Sequence, residues 1–208
     1  MYVPTAFALT EDETVDALRR GGFAHLVTAT AAGLLTTPLP MLYDEERHRL
    51  VGHVSRANPH WRGGNGGQSV AIFSGADGYV SPRWYPEDAS RTRMAPTWNY
   101  EVLTVHGRLV VHDDVEWVRA NVTALTAAHE QDRDEPWRID EVAARDVDSM
   151  LRAIVGVEVV IERAVGKAKL SQNQPDRNRR AVIDGLERSA SPGDRTLADR
   201  MRILPNEN

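Results

Sequence analysis

The feature that most constrains this chain is the order of its patterns: after one short helical segment, apolar and β-branched runs bounded by turn residues fill its first half, and most of the helical periodicity comes later. Phe23 to Thr30 and Leu34 to Tyr43 flank Ala31-Ala32-Gly33 and predict a hairpin. His48 to Val54, Ser69 to Phe73 and Thr97 to Asp113 predict further strands, the last with a bend at Gly107, and Val157 to Ile161 predicts a final central strand. Pro38 and Pro40 lack an N–H to donate, so they mark an edge or a bulge in the second strand. Strands that follow one another without helical crossovers predict an α+β fold with an antiparallel, barrel-like sheet rather than alternating βαβ units.

The helical segments carry their own signals. Thr10 and Glu13 form a capping-box pattern that starts a helix, which Gly21-Gly22 stops after Arg20. Asn58-Pro59 opens a short helix through Trp61, followed by a loop at Gly63 to Gly67 and a turn-rich stretch from Gly75 to Pro82. Trp117, Val118, Val122 and Leu125 recur at helical spacing, Asp140 to Ile154 is helical up to Gly156, and Pro175 to Leu186 is a C-terminal helix. These elements place one domain at residues 1–188 and a polar tail at 189–208.

Several function classes have nothing to stand on. The chain has no cysteine, which removes disulfides and thiolate catalysis and fits the cytoplasm. No run approaches the ~20 apolar residues of a membrane helix, and the N-terminus lacks the pattern of a secretory signal. Phosphate-loop, Rossmann, serine-hydrolase and zinc-protease signatures are absent. The net charge is −5, and although residues 160–208 carry ten Lys/Arg against seven Asp/Glu, the remainder is acidic. An acidic body is a poor electrostatic partner for DNA, because neutralised phosphates supply most non-specific affinity.

Four segments combine polar, basic and aromatic residues. In Gly52-His53-Val54-Ser55-Arg56-Ala57-Asn58-Pro59-His60-Trp61-Arg62 a strand gives way to a helix, where free backbone N–H groups favour an anion and Arg56 offers a bidentate fork. His60 follows Arg56 by four residues, one helical turn, and imidazole is an axial ligand of haem iron. Gly78 to Pro86 holds Tyr79, Trp84 and Tyr85 between prolines, a rigid wall. Pro96-Thr97-Trp98-Asn99-Tyr100 presents Asn99 opposite Trp98 and Tyr100, and Lys167 to Pro175 gathers donors before a helix. For each, the competing reading is structural: a solvated arginine, loop packing, an edge-strand amide, a helix cap.

At these segments, and at Met1-Tyr2-Val3-Pro4 and Ile154-Val155-Gly156-Val157-Glu158, the sequence resembles the PaiB-like family of FMN-binding negative transcriptional regulators. The resemblance spans residues 1 to about 186; Pro38 departs from a histidine frequent in the family. It implies an antiparallel split β-barrel of the FMN-binding type with peripheral helices, a homodimer, and a cofactor at the subunit interface. It also implies that Ser55, Arg56 and Asn58 contact the cofactor's anionic tail and that Trp98, Asn99, Lys169 and Gln172 line the ring. A branch of similar sequence, the piperazate synthases, binds haem and closes N5-hydroxyornithine into piperazic acid by N–N bond formation. Likeness to that branch makes His60 the iron ligand and Arg56 and Lys169 catalytic, holding substrate oxygen or carboxylate. The expectation is therefore haem and the cyclase. The alternatives are FMN with either a regulator, for which no DNA-reading element is visible, or a small-molecule oxidoreductase.

Overall fold

A computed structural model describes residues 1–87 and 94–203. Helix α1 (Glu11–Arg20) precedes three strands, β1 (Gly22–Thr30), β2 (Gly33–Asp44) and β3 (Arg49–Ser55). Helix α2 (His60–Gly64) and strands β4 (Gln68–Val80) and β5 (Thr97–His112) follow. Then come α3 (Val115–Glu130), α4 (Ala144–Arg152), β6 (Ile154–Lys169), α5 (Asp176–Glu187) and α6 (Pro192–Ile203). The strand order is β1-β2-β3-β6-β5-β4, closed as a barrel, so the α+β class and the barrel-like sheet are as the sequence predicts.

The chain divides into two compact units. The first comprises Val15–Phe73 and Thr104–Ala164. In it the β1–β2 hairpin runs in register from Gly22↔Met41 to Thr30↔Gly33, and Ala24 to Thr28 pair antiparallel with Phe73 to Ser69. β3 pairs with β6 from Arg49↔Val160 to Ser55↔Ile154. Only Leu42 to Asp44 of β2 meet β3, so Pro38 and Pro40 lie in the stretch of β2 before that pairing begins. Alternating residues fill the barrel interior: Leu26, Met41, Leu50, Val105, Leu109, Val155 and Val157 are fully shielded from solvent. This period of two is what a half-buried strand requires. Helix α3, capped by Asp114 accepting from the Trp117 N–H at 2.8 Å, packs Val118 against Val147 and Leu151 of α4.

The second unit comprises Met1–Thr14, Ser74–Leu103 and Val165–Asn208. Its core joins Val80, Ala168, Leu170, Val182, Leu186, Leu197 and Met201. At the start of α1 the capping box forms as expected: Glu13 N–H donates to Thr10 Oγ1 at 3.2 Å, and Thr10 N–H to Glu13 Oε2 at 2.8 Å.

Five expectations need correction. β4 does not stop at Phe73 but continues to Val80, through the stretch expected to be turns. Gly75 there leaves room for Glu101, whose Cβ lies 2.8 Å from where a Cβ on residue 75 would sit. β6 runs beyond Ile161 to Lys169. Helix α2 begins at His60 and includes Gly63 and Gly64, and the helix expected from Asp140 is a single 3-10 turn at Ile139–Glu141 followed by α4. The segment expected to be a polar tail contains α6, whose Leu197, Ala198 and Met201 are completely buried.

Candidate cofactor site

The strand-to-helix junction after β3 is built by local hydrogen bonds. Ser55 Oγ accepts from the Ala57 N–H at 3.3 Å, and Asn58 Oδ1 accepts from the His60 N–H at 2.9 Å, which sets the first turn of α2. His60 points into the barrel and is 1% exposed. Its Nδ1 lies 2.8 Å from Thr37 Oγ1 and its Nε2 2.8 Å from Thr28 Oγ1. Asn58 Nδ2 donates to the same Thr37 Oγ1 at 3.0 Å, and Thr28 Oγ1 lies 2.7 Å from Ser69 Oγ. One directional assignment satisfies every group: Asn58 amide to Thr37, Thr37 hydroxyl to Nδ1, Nε2–H to Thr28, Thr28 hydroxyl to Ser69. Burial holds the imidazole's pKa below its ordinary value, in keeping with a neutral ring. Both ring nitrogens have hydroxyl partners, so the ring as placed presents no lone pair to a metal.

Arg56 is committed as well. Its guanidinium makes a two-toothed ion pair with Asp113, with Nη1 at 3.1 Å, and donates to the carbonyls of Arg152 at 2.6 Å and Ile154 at 3.2 Å. Hydrogen bonding from Arg56 holds the Asp113 carboxyl below the usual carboxylate range. Because α2 starts at His60, Arg56 precedes the helix, and the one-turn relation between the two residues does not exist. The junction is a structural knot, with Arg56 tying β3 to β6 and His60 tying α2 to the barrel wall.

The remaining expected residues lie in the second unit. Asn99 is 1% exposed and donates to Ser171 Oγ at 2.9 Å, inside the core beside Met201. Gln172 spends its amide on the backbone: Nε2 donates to Ala168 O at 2.6 Å, and Oε1 accepts from the Leu170 N–H at 2.7 Å. These bonds hold the turn after β6, where Ser171 adopts φ +61°. Trp98, by contrast, is 52% exposed and meets Tyr79, 45% exposed, edge to face with ring centroids 6.3 Å apart. Lys169 lies alongside, its Nζ donating to Thr97 Oγ1 at 2.6 Å and to Trp98 O at 2.5 Å. Burial and then the charge of Lys167 push the Lys169 pKa down.

The structure thus gathers Ser55, Arg56, Asn58 and His60 at one place and Trp98, Asn99, Lys169 and Gln172 at another. Of these, Ser55 and Trp98 keep exposed surface, and Lys169 keeps an N–H for which the described residues supply no acceptor. Sequence reasoning missed Lys167 and Thr97 as neighbours of Lys169. The signal was the spacing of the lysines, but with the last strand ended at Ile161 the two had no common face. Among the described residues no group of three or more His, Asp or Glu side chains could hold a metal ion, and no helix is long and apolar enough to cross a membrane.

Comparison with known proteins agrees with this architecture. Protease synthase and sporulation protein PAI 2 of Bacillus subtilis (strain 168) is 27% identical over 205 residues, covering 97% of this chain and 96% of that protein. Among solved structures, the FAD and heme binding protein from Mycobacterium smegmatis superposes with a TM-score of 0.58 at 18% identity, covering 85% of this chain and 78% of the other. The flavocytochrome Anf3 from Azotobacter vinelandii superposes with a TM-score of 0.57 at 18% identity, over 78% of this chain and 69% of the other. At such identities the two structures establish the fold alone. Residues 1–163 match the family described as "Putative FMN-binding domain". The chain therefore belongs to the PaiB-like, FMN-binding split-barrel family.

Proposed function

We propose that the protein binds FMN and acts as a flavin-dependent oxidoreductase on a small molecule. The observation that carries this reading is the exposed Trp98–Tyr79 pair beside Lys169, whose ammonium has a third N–H with no acceptor among the described residues. A planar ring can lie against the aromatic edge, where an aromatic contact contributes about 0.5–1.5 kcal/mol beyond the area it buries. The ammonium beside that surface gives an anionic cofactor a counter-charge. Bound FMN would supply electron or hydride transfer, and the chain's own residues would bind and orient it. The homodimer implied by the family resemblance is part of the proposal.

The haem-dependent cyclase receives no such support, because its proposed iron ligand, His60, has both nitrogens engaged and lies inside the barrel. Arg56, its proposed catalytic neighbour, is held by Asp113 and two carbonyls. The test is titration of the purified protein with FMN, followed by anaerobic addition of a reduced nicotinamide. Quenched flavin fluorescence that saturates, weakened at least about tenfold by Trp98→Ala, is the expected result. Failure of FMN to bind at micromolar concentrations contradicts the proposal.

A further inference from the structure

The chain carries 25 basic residues, and all but two are arginines. The two lysines, Lys167 and Lys169, stand one residue apart on β6, so their side chains leave the same face of the strand. Arginine and lysine differ where an ion must be gripped. Guanidinium suits fixed, forked pairing with carboxylates, whereas ammonium is a compact charge with three N–H groups that can turn towards a ligand. Three arginines show the first use: Arg56 pairs with Asp113, Arg49 with Asp44 and Glu158, and Arg200 with Glu101.

The lysines show no such pairing. Neither has a carboxylate within ion-pair distance among the described residues. Lys167 is 8% exposed; its Nζ donates to Tyr2 O at 3.3 Å and sits 5.2 Å from the centroid of the Tyr100 ring. Lys169 donates to a hydroxyl and a carbonyl, as described above. Among the described residues, two N–H groups on Lys167 and one on Lys169 have no acceptor. Two like charges removed from water side by side are costly, and an anion set between them reverses the sign of that cost. At the junction, where the sequence places an anion, the Arg56 cation is paired with Asp113; the lysines carry no such carboxylate partner among the described residues.

We propose that Lys167 and Lys169 form the receptor for an oxyanion, a carboxylate or a phosphate monoester, with Lys169 in direct contact and Tyr100 and Trp98 flanking it. The site needs no flavin for this. The flavin reading enters only in saying whose oxyanion it is: the phosphate of FMN itself or the carboxylate of a substrate.

With only two lysines in the chain, amine acylation followed by peptide mass spectrometry reads each of them separately. The full-length protein is acetylated at neutral pH alone and with inorganic phosphate, malonate, riboflavin or FMN. At about ten times its dissociation constant an oxyanion that contacts Lys169 slows its acetylation about tenfold. Phosphate or malonate is expected to do so, Lys167→Met to remove the protection, and Lys167→Arg, which restores the charge, to keep it. Protection by FMN but not by bound riboflavin assigns the site to the flavin phosphate. Protection by malonate in FMN-loaded protein assigns it to a substrate carboxylate. An unchanged Lys169 rate with phosphate, malonate and FMN overturns the proposal. If FMN in that case still quenches on binding, the flavin reading survives; if phosphate protects and FMN does not bind, the flavin reading fails and the receptor stands.

Discussion

At the scale of single residues, His60 is held as a structural pivot, with a hydroxyl partner at each ring nitrogen. Replacing it with alanine strips Thr28 and Thr37 of their ring partners inside the barrel and opens a void. Large-to-small changes combined with buried unpaired hydroxyls cost about 2–5 kcal/mol, which a urea titration of His60→Ala will report as a lower midpoint. The flavin bound per folded molecule should not change. The pH dependence has a definite sign. Burial lowers the folded-state pKa of His60, and of His53 and His106, below the ordinary 6.5. Above that value the rings are neutral in both states and contribute nothing to the slope. As the pH falls through it, the unfolded chain takes up protons that the folded chain refuses, so stability drops by up to about 1.4 kcal/mol per pH unit for each such ring. Urea midpoints at pH 7.5 and 5.5 check this, and His60→Gln should flatten the difference; a midpoint that rises on acidification contradicts it. The segment from Gly52 to Arg62 stands out in the sequence, yet its meaning does not. Thr28 and Thr37 lie 32 and 23 residues from His60 along the chain, and only the barrel's register brings them to it.

At the scale of elements, what could be read from the sequence was what local chemistry controls. The Thr10–Glu13 box, the stop at Gly21 and the Ala31-Ala32-Gly33 turn each depend on a few adjacent residues, and each appears where expected. Strand lengths depend on partners instead. The glycines of β4 resemble turn punctuation, although they sit in a paired strand, and the polar Glu162-Arg163 step in β6 hides its continuation to Lys169. Helix α6 escaped notice because its apolar side chains are few; only after it folds do Leu197 and Met201 prove to belong to the same core as Leu186. Leu197→Ala should therefore cost about 2–5 kcal/mol in thermal or urea unfolding, against near zero for a polar tail. Gly156→Ala is the matching test in the other unit. A Cβ there would lie 2.2 Å from the Trp117 ring, which is itself stacked on His112 at 4.1 Å. Overpacking of this kind costs about 1–3 kcal/mol and should show as a lowered unfolding midpoint.

At the scale of the whole molecule, composition limits partners and the family sets the cofactor question. A chain with net charge −5, in which Arg49, Arg56 and Arg200 are held in internal ion pairs, is expected to have little affinity for a DNA backbone. A mobility-shift assay at low salt should accordingly show no retention. Much of the cofactor-side segment was legible as a cluster of aromatic and basic residues, but which of them remain available was not. Asn99 and Gln172 turned inward to hold backbone and core, and Lys169 with Trp98 kept free donors and surface. That division is what favours FMN in the proposed reading. The direct measurement is an absorption spectrum of the freshly purified protein, recorded before and after dithionite and again after loading with FMN. A flavin spectrum that bleaches on reduction, with no Soret band, is the expected result. A Soret band that shifts on reduction and disappears in folded His60→Ala protein would contradict it.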